Sequence, residues 1–244
     1  MPYYYGYGDF LANNIYCILL IPVFLLSLWA QFQVSGSFRR YSVANRRHVT
    51  GAQAAEAVLR AHGVYDVPIR PCRGSLTDHY DPRDNTIYLS EDVYASATIS
   101  AVGVACHEAG HAVQYAVGYG PIRVRSAIIP VTQLGSKFSF ILLLIGLLLY
   151  SQPLFLVGIL LFSLTTIFQL VTLPVEFNAS RRAIATIEDS YLLDDDEVRG
   201  AEKVLRAAAL TYVAALLMSM LQLLRYVLIF LGRNGGGRRG GGRE

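Results

Sequence analysis

His107-Glu108-Ala109-Gly110-His111 is the stretch whose residue types and spacing most directly imply chemistry. On a helix, residues four apart share a face. Two imidazoles on that face can bind one Zn²⁺, and Glu108 leaves the helix near the same edge. From there a carboxylate can take a proton from metal-bound water and pass it to a leaving amine. The metal lowers the pKa of that water and polarises the scissile carbonyl. The motif falls inside a predicted helix, about Ala95 to Val117, rather than in a loop.

A catalytic zinc needs a third protein ligand and an open fourth position. Glu176 is the preferred candidate; it follows Pro174 and precedes Phe177-Asn178-Ala179-Ser180-Arg181-Arg182. Glu188 and Asp189 lie about three turns further along. His48, in a basic segment, and His62, at a helix end, read as surface histidines. His79, in Asp78-His79-Tyr80-Asp81-Pro82, could bind substrate or stabilise an oxyanion. Its plainer role is a hydrogen bond that stabilises a turn. Cys106 adjoins His107, but helix neighbours point about 100° apart, so it reads as a core residue. No Cys nucleophile is indicated, because the nearby histidines are claimed by the metal.

The elements that must position these groups are set by composition. Of 244 residues, 53% are hydrophobic and 16% are charged, against roughly 25% charged in a soluble domain. Mean hydropathy is +0.38. These values exclude a soluble enzyme of ordinary composition and a disordered chain. Three cysteines, Cys17, Cys72 and Cys106, make no disulfide framework. The fold class expected is an integral membrane protein, mainly α-helical, with about four membrane segments. To these is added a small α+β zincin-like catalytic domain with a short β-hairpin before the catalytic helix.

Residues 1–14 form a Tyr-rich segment, read as an interfacial aromatic cluster. Residues 15–34 carry no charge and are long enough to span about 30 Å of hydrocarbon. No basic residue precedes them and no cleavage site follows, so they read as a retained span rather than a signal peptide. Residues 35–125 form the catalytic domain. Thr50-Gly51-Ala52-Gln53 predicts a capping box opening a helix that Gly63 stops. Strands are expected at Val67 to Arg70, Leu76 to Tyr80 and Thr86 to Leu89, with a turn at 81–85. The catalytic helix has about a dozen residues before its first charge, so it reads as a core helix rather than a span. Gly118 ends it.

Residues 126–173 read as a membrane hairpin (spans 2 and 3) that turns at Ser151-Gln152-Pro153, with Lys137 facing other helices or snorkelling. An even number of crossings returns Glu176 to the membrane face of His111. Residues 174–206 are a helical region that supplies the third ligand. Its run Asp194-Asp195-Asp196-Glu197 reads as a helix start rather than a metal site. Residues 207–231 are a fourth membrane segment, and 232–244 a disordered Gly/Arg tail. Arg39, Arg40, Arg46 and Arg47 follow the first span closely, which puts the catalytic domain in the cytoplasm of a multi-pass cell-membrane protein. The arginines of the tail point the other way if the last segment crosses.

Three segments carry a family resemblance. They are Leu76-Thr77-Asp78-His79-Tyr80-Asp81-Pro82, the His107 motif, and Leu173-Pro174-Val175-Glu176-Phe177-Asn178-Ala179-Ser180-Arg181-Arg182. Together they resemble the YugP-like family of membrane neutral zinc metallopeptidases, similar in pattern to HtpX-type gluzincins. The resemblance covers about residues 25–231. It implies zinc held by His107, His111 and Glu176, with Glu108 as base. The HtpX-type pattern has an aspartate where Ser180 stands. The orientation it would give a ligand is expected from elsewhere, with Asn178 as the candidate.

The expected function is a membrane-embedded, zinc-dependent endopeptidase. Its partners would be membrane lipid and a protein or peptide substrate, either a membrane protein or an unfolded segment. The competing class is a non-catalytic membrane scaffold or adaptor stabilised by zinc; it has no use for Glu108. A nucleic-acid tether through the Gly/Arg tail is a third and weaker reading.

Overall fold

The computed structural model describes residues 7–235, with side chains for residues 20–232. Residues 1–6 of the Tyr-rich start and 236–244 of the tail lie outside the described residues. The element order is α1 (Tyr7–Arg40), α2 (Gly51–Ala61), β1 (Ile69–Cys72), β2 (His79–Asp81), β3 (Thr86–Ser90), α3 (Glu91–Tyr94), α4 (Ile99–Ala116), α5 (Gly120–Leu148), α6 (Gln152–Asp189) and α7 (Asp195–Gly235). Among the described residues, four helical segments are long and apolar enough to cross a membrane: Leu20–Arg40, Gly120–Leu148, Gln152–Asp189 and Asp195–Gly232. They run beyond the expected spans. α7 is one uninterrupted helix through Arg225 and continues to Gly235, where the tail was expected to begin at 232.

The chain divides into two compact units. Of the described residues, the first comprises 7–28, 127–170 and 213–235. Its described core joins Leu143 of α5 and Phe155 and Ile159 of α6 to Leu223, Tyr226 and Val227 of α7. The α5–α6 turn is tight: a Cβ on Gly146 would lie 2.5 Å from the Phe155 nitrogen.

The second unit comprises residues 29–126 and 171–212 and holds every residue proposed for the site. Its core packs Ala54, Val58 and Leu59 of α2, Ile87 and Leu89 of β3, and Val102, Ala105, Ala109 and Val113 of α4. Ala183 and Ile187 of α6 and Ala201 and Leu205 of α7 complete it. Each fully buried Ile or Leu contributes about 1.5–3 kcal/mol.

Local sequence sets the ends of these elements. The Thr50 hydroxyl accepts from Gln53 N and the Gln53 side chain accepts from Thr50 N, so the capping box is formed. Gly63, at φ +70°, closes α2 in the left-handed region. The catalytic helix starts at Ile99, later than the expected Ala95. Thr98 caps it by accepting from Ala101 N, and residues 91–94 form a separate short helix. Gly118, at φ +64°, ends it.

The sheet has the order β1-β3-β2. β3 lies in the centre and is almost wholly buried. β1 pairs with it in parallel, from Ile69 opposite Ile87 to Cys72 opposite Ser90. β2 pairs with it antiparallel, with Tyr80 opposite Ile87, which leaves β2 at an edge. The β2–β3 turn is held by Asp81, which accepts from Arg83 N and from the Arg83 guanidinium. Asn85 follows at positive φ and accepts from the Tyr80 hydroxyl.

The acidic run at 194–197 serves as a helix start. Glu197 is buried and accepts from Asp194 N and from Arg46 N. Asp194 and Asp196 receive the guanidinium of Arg46, and Asp194 that of Arg47.

Candidate metal centre

α4 presents its motif in a row of small residues. Gly110 meets α6 so closely that a Cβ there would lie 2.8 Å from the Ala179 carbonyl oxygen. That approach brings Glu176 against the two histidines. Glu176 Oε2 lies 3.2 Å from His107 Nε2 and 3.5 Å from His111 Nε2. One ligand atom from each of the three residues falls within a 4.8 Å cluster, the one such group that includes histidine or cysteine among the described residues. Glu176 and His111 are buried, and His107 is partly so.

The ring nitrogens that face away from this cluster are occupied. His107 Nδ1 is 3.1 Å from the Ser180 hydroxyl, and His111 Nδ1 is 3.1 Å from Gln114 Oε1. With Nδ1 donating to these acceptors, both Nε2 lone pairs are left for a metal. The donor set, two imidazoles and one carboxylate oxygen, suits tetrahedral zinc with one position open. The residues therefore fit the ion.

Glu108 is outside the three-donor cluster. Its Oε2 accepts from the backbone N–H of Tyr80 at 3.1 Å, which ties it to the edge strand β2. Glu176 uses its other oxygen, Oε1, toward Arg125 Nη1 at 3.4 Å. The Arg125 Nε is buried with no hydrogen-bond partner among the described residues. Tyr212 of α7 interacts with Glu176, Glu108 and Arg125. Burial works against a charged His111, but Glu176 and Glu108 outweigh it and raise its pKa above the ordinary imidazole value.

The remaining sequence candidates sit elsewhere. His79 is exposed; its ring stacks on Tyr88 with centroids 5.2 Å apart, and its Nδ1 is 2.7 Å from the Thr77 carbonyl. That geometry matches the plainer turn-stabilising role. Asn178 has its hydrogen bonds with Gln114 and Arg182 rather than with the three clustered residues. Its Oδ1 accepts from Gln114 Nε2 and Arg182 Nε, so it stands one residue behind the position expected for it. The partner of His107 is Ser180 itself, the residue where an orienting group seemed to be missing. A hydroxyl can accept from an imidazole N–H as a carboxylate does, though more weakly. Cys106 is fully buried, and burial pushes its thiol pKa up, as suits a core residue.

Sequence reasoning missed Gln114, Arg125 and Tyr212. Gln114 carried a signal, since it lies three residues after His111 on the same helix face. Arg125 and Tyr212 carried none, because only tertiary packing brings them here.

Helices of membrane-crossing length, with a buried two-histidine, one-glutamate cluster, define a membrane metalloprotein. A family model described as "Putative neutral zinc metallopeptidase" matches residues 16–231. A curated relative described as "Putative membrane protease YugP", from Bacillus subtilis (strain 168), is 49% identical over 218 residues, 89% of this chain and 97% of that protein. No solved structure matches. The chain belongs to this family of neutral zinc metallopeptidases, and its metal is zinc.

Proposed function

We propose that the protein is a zinc-dependent endopeptidase with His107, His111 and Glu176 as metal ligands and Glu108 as general base. The observation that carries this is the split among four side chains. Three converge their donor atoms on one point, while the fourth, from the same helix, stays out of the cluster. A purely structural zinc has no use for that fourth group and takes four protein ligands rather than three.

Bound zinc supplies Lewis acidity, which makes water a nucleophile near neutral pH and polarises a carbonyl. Glu108 takes the proton of the attacking water and hands it to the departing amine. The Tyr80 N–H holds the Glu108 carboxylate in place. Arg125 faces Glu176 Oε1, while Oε2 faces the two histidines, where it would hold the zinc. β2, at the sheet edge, can pair with an extended peptide and lay it beside Glu108. Substrates of this kind are membrane proteins or unfolded segments. We place residues 35–125 on the cytoplasmic side, following the arginines after the first span.

Glu108→Gln tests the role of the base. It keeps the shape and the Tyr80 contact, so zinc content should stay near wild type. Cleavage of an unfolded model protein should fall at least a hundredfold. Undiminished cleavage would falsify the role given to Glu108. Zinc retention with no cleavage by the wild type, against any unfolded or membrane protein tried, would favour a scaffold.

A further inference from the structure

Gln114 is fully buried and makes three polar contacts, each with a different demand. Its Nε2 donates to the Val175 carbonyl at 2.8 Å and to Asn178 Oδ1 at 3.0 Å. A backbone carbonyl can only accept. Asn178 Oδ1 also receives Arg182 Nε at 2.9 Å, and a guanidinium can only donate, so the Asn178 oxygen must face this way. Both neighbours on α6 therefore require the nitrogen of the Gln114 amide. The amide cannot flip, and its Oε1 must face His111 Nδ1. An acceptor at Nδ1 requires the Nδ1–H tautomer and leaves the Nε2 lone pair toward Glu176 Oε2.

We infer that Gln114 is a positioning residue that fixes the tautomer and ring angle of His111, with its own polarity set by Val175, Asn178 and Arg182. This rests on His111 being a zinc ligand. Its consequence is that α6 acts on the metal twice: directly through Glu176, and through Gln114 on a ligand carried by α4. Groups that orient metal histidines typically change metal affinity 10–100-fold when removed.

The test separates the two ends of the amide. Full-length protein in detergent is loaded with zinc and titrated with a chromogenic zinc chelator, and thermal unfolding is followed in parallel. Gln114→Met fills the volume but offers His111 no strong acceptor; zinc affinity should fall at least about tenfold. Gln114→Glu keeps an acceptor for His111 Nδ1 in either charge state while losing the amide N–H donors to α6. Its affinity should return to within a few-fold of wild type, even if its thermal midpoint is as low as that of the Met variant. If Gln114 merely bridges α4 and α6, Glu will bind zinc as poorly as Met, and the inference is overturned. Should either variant fail to fold, ¹⁵N-histidine NMR of the zinc-loaded wild type decides. His111 should carry its proton on Nδ1, in a hydrogen bond to the Gln114 oxygen. A His111 Nδ1 that bears no proton overturns the inference. Wild type that holds no zinc would instead remove the metal centre, and the inference with it.

Discussion

Asp78 and Glu108 show how a single carboxylate's surroundings decide what it does. Burial raises the pKa of Asp78, against the opposing pull of the Ser90 N–H at 2.7 Å and the Ser90 hydroxyl at 3.1 Å. With its pKa raised on folding, the native chain binds more protons than the unfolded chain between the two values. Stability therefore falls as pH rises through that window, and the cost is fully present at neutral pH. Asp78→Asn keeps an oxygen for the Ser90 N–H and removes the charge. Its melting midpoint at pH 7 should equal or exceed wild type by a few degrees, with the gap closing as pH falls toward about 4. A clear loss at pH 7 would mean that the charge-assisted bonds outweigh desolvation. The residues proposed for the metal centre were unequally legible. His107, Glu108 and His111 could be read because i, i+4 spacing is local geometry. Glu176 could be read from its place after an even number of predicted crossings. Ser180 was set aside for lacking a carboxylate, although acceptance of an imidazole proton needs only an oxygen. Arg125 and Tyr212 come from the starts and middles of apolar helices, where nothing local marks them.

At the level of elements, the close approach of α4 and α6 is the controlling contact. Gly110→Ala places a methyl 2.8 Å from the Ala179 carbonyl oxygen, and backbone at that distance must move. We expect about 1–3 kcal/mol of destabilisation and a loss of zinc affinity, since the displaced helix carries Glu176. Chemical denaturation and zinc titration of the same preparation check both. Wild-type zinc affinity at lowered stability would show that the site tolerates the shift. Element ends with a side-chain cap or a glycine at positive φ, such as Thr50, Gly63 and Gly118, were readable. The start of α4 was misplaced because Thr98 outcompetes the apolar pattern that begins at Ala95. β1 was expected at Val67 to Arg70 but forms at Ile69–Cys72. A strand's limits are set by its partner's register, here the parallel pairing to β3, which no local pattern encodes.

For the molecule as a whole, apolar length and low charge made the four membrane-length segments legible, while their outer limits were not. Helices α6 and α7 run on into polar sequence because hydrogen bonding continues beyond the apolar stretch. Orientation is open to a direct test with the chain's own cysteines. Cys72 is half-buried and Cys106 is fully buried. In a Cys17→Ser background, a membrane-impermeant maleimide should label Cys72 only after cells are opened, and Cys72→Ser should abolish labelling. Labelling of intact cells would put residues 35–125 on the outer side.

The distance along the chain between the proposed metal ligands has a consequence in time. His107 and Glu176 are 69 positions apart, with the α5–α6 turn between them. At about 5–20 residues per second, ribosomal synthesis separates their appearance by roughly 3–14 s. Throughout that interval the nascent chain carries a helix with two histidines and no carboxylate to complete the set. The Gln114 amide is then also without the Val175 carbonyl and Asn178 that set its direction. On the proposed assignment, hydrolytic competence would wait until α6 has been made and has docked, and a half-made chain would be inert.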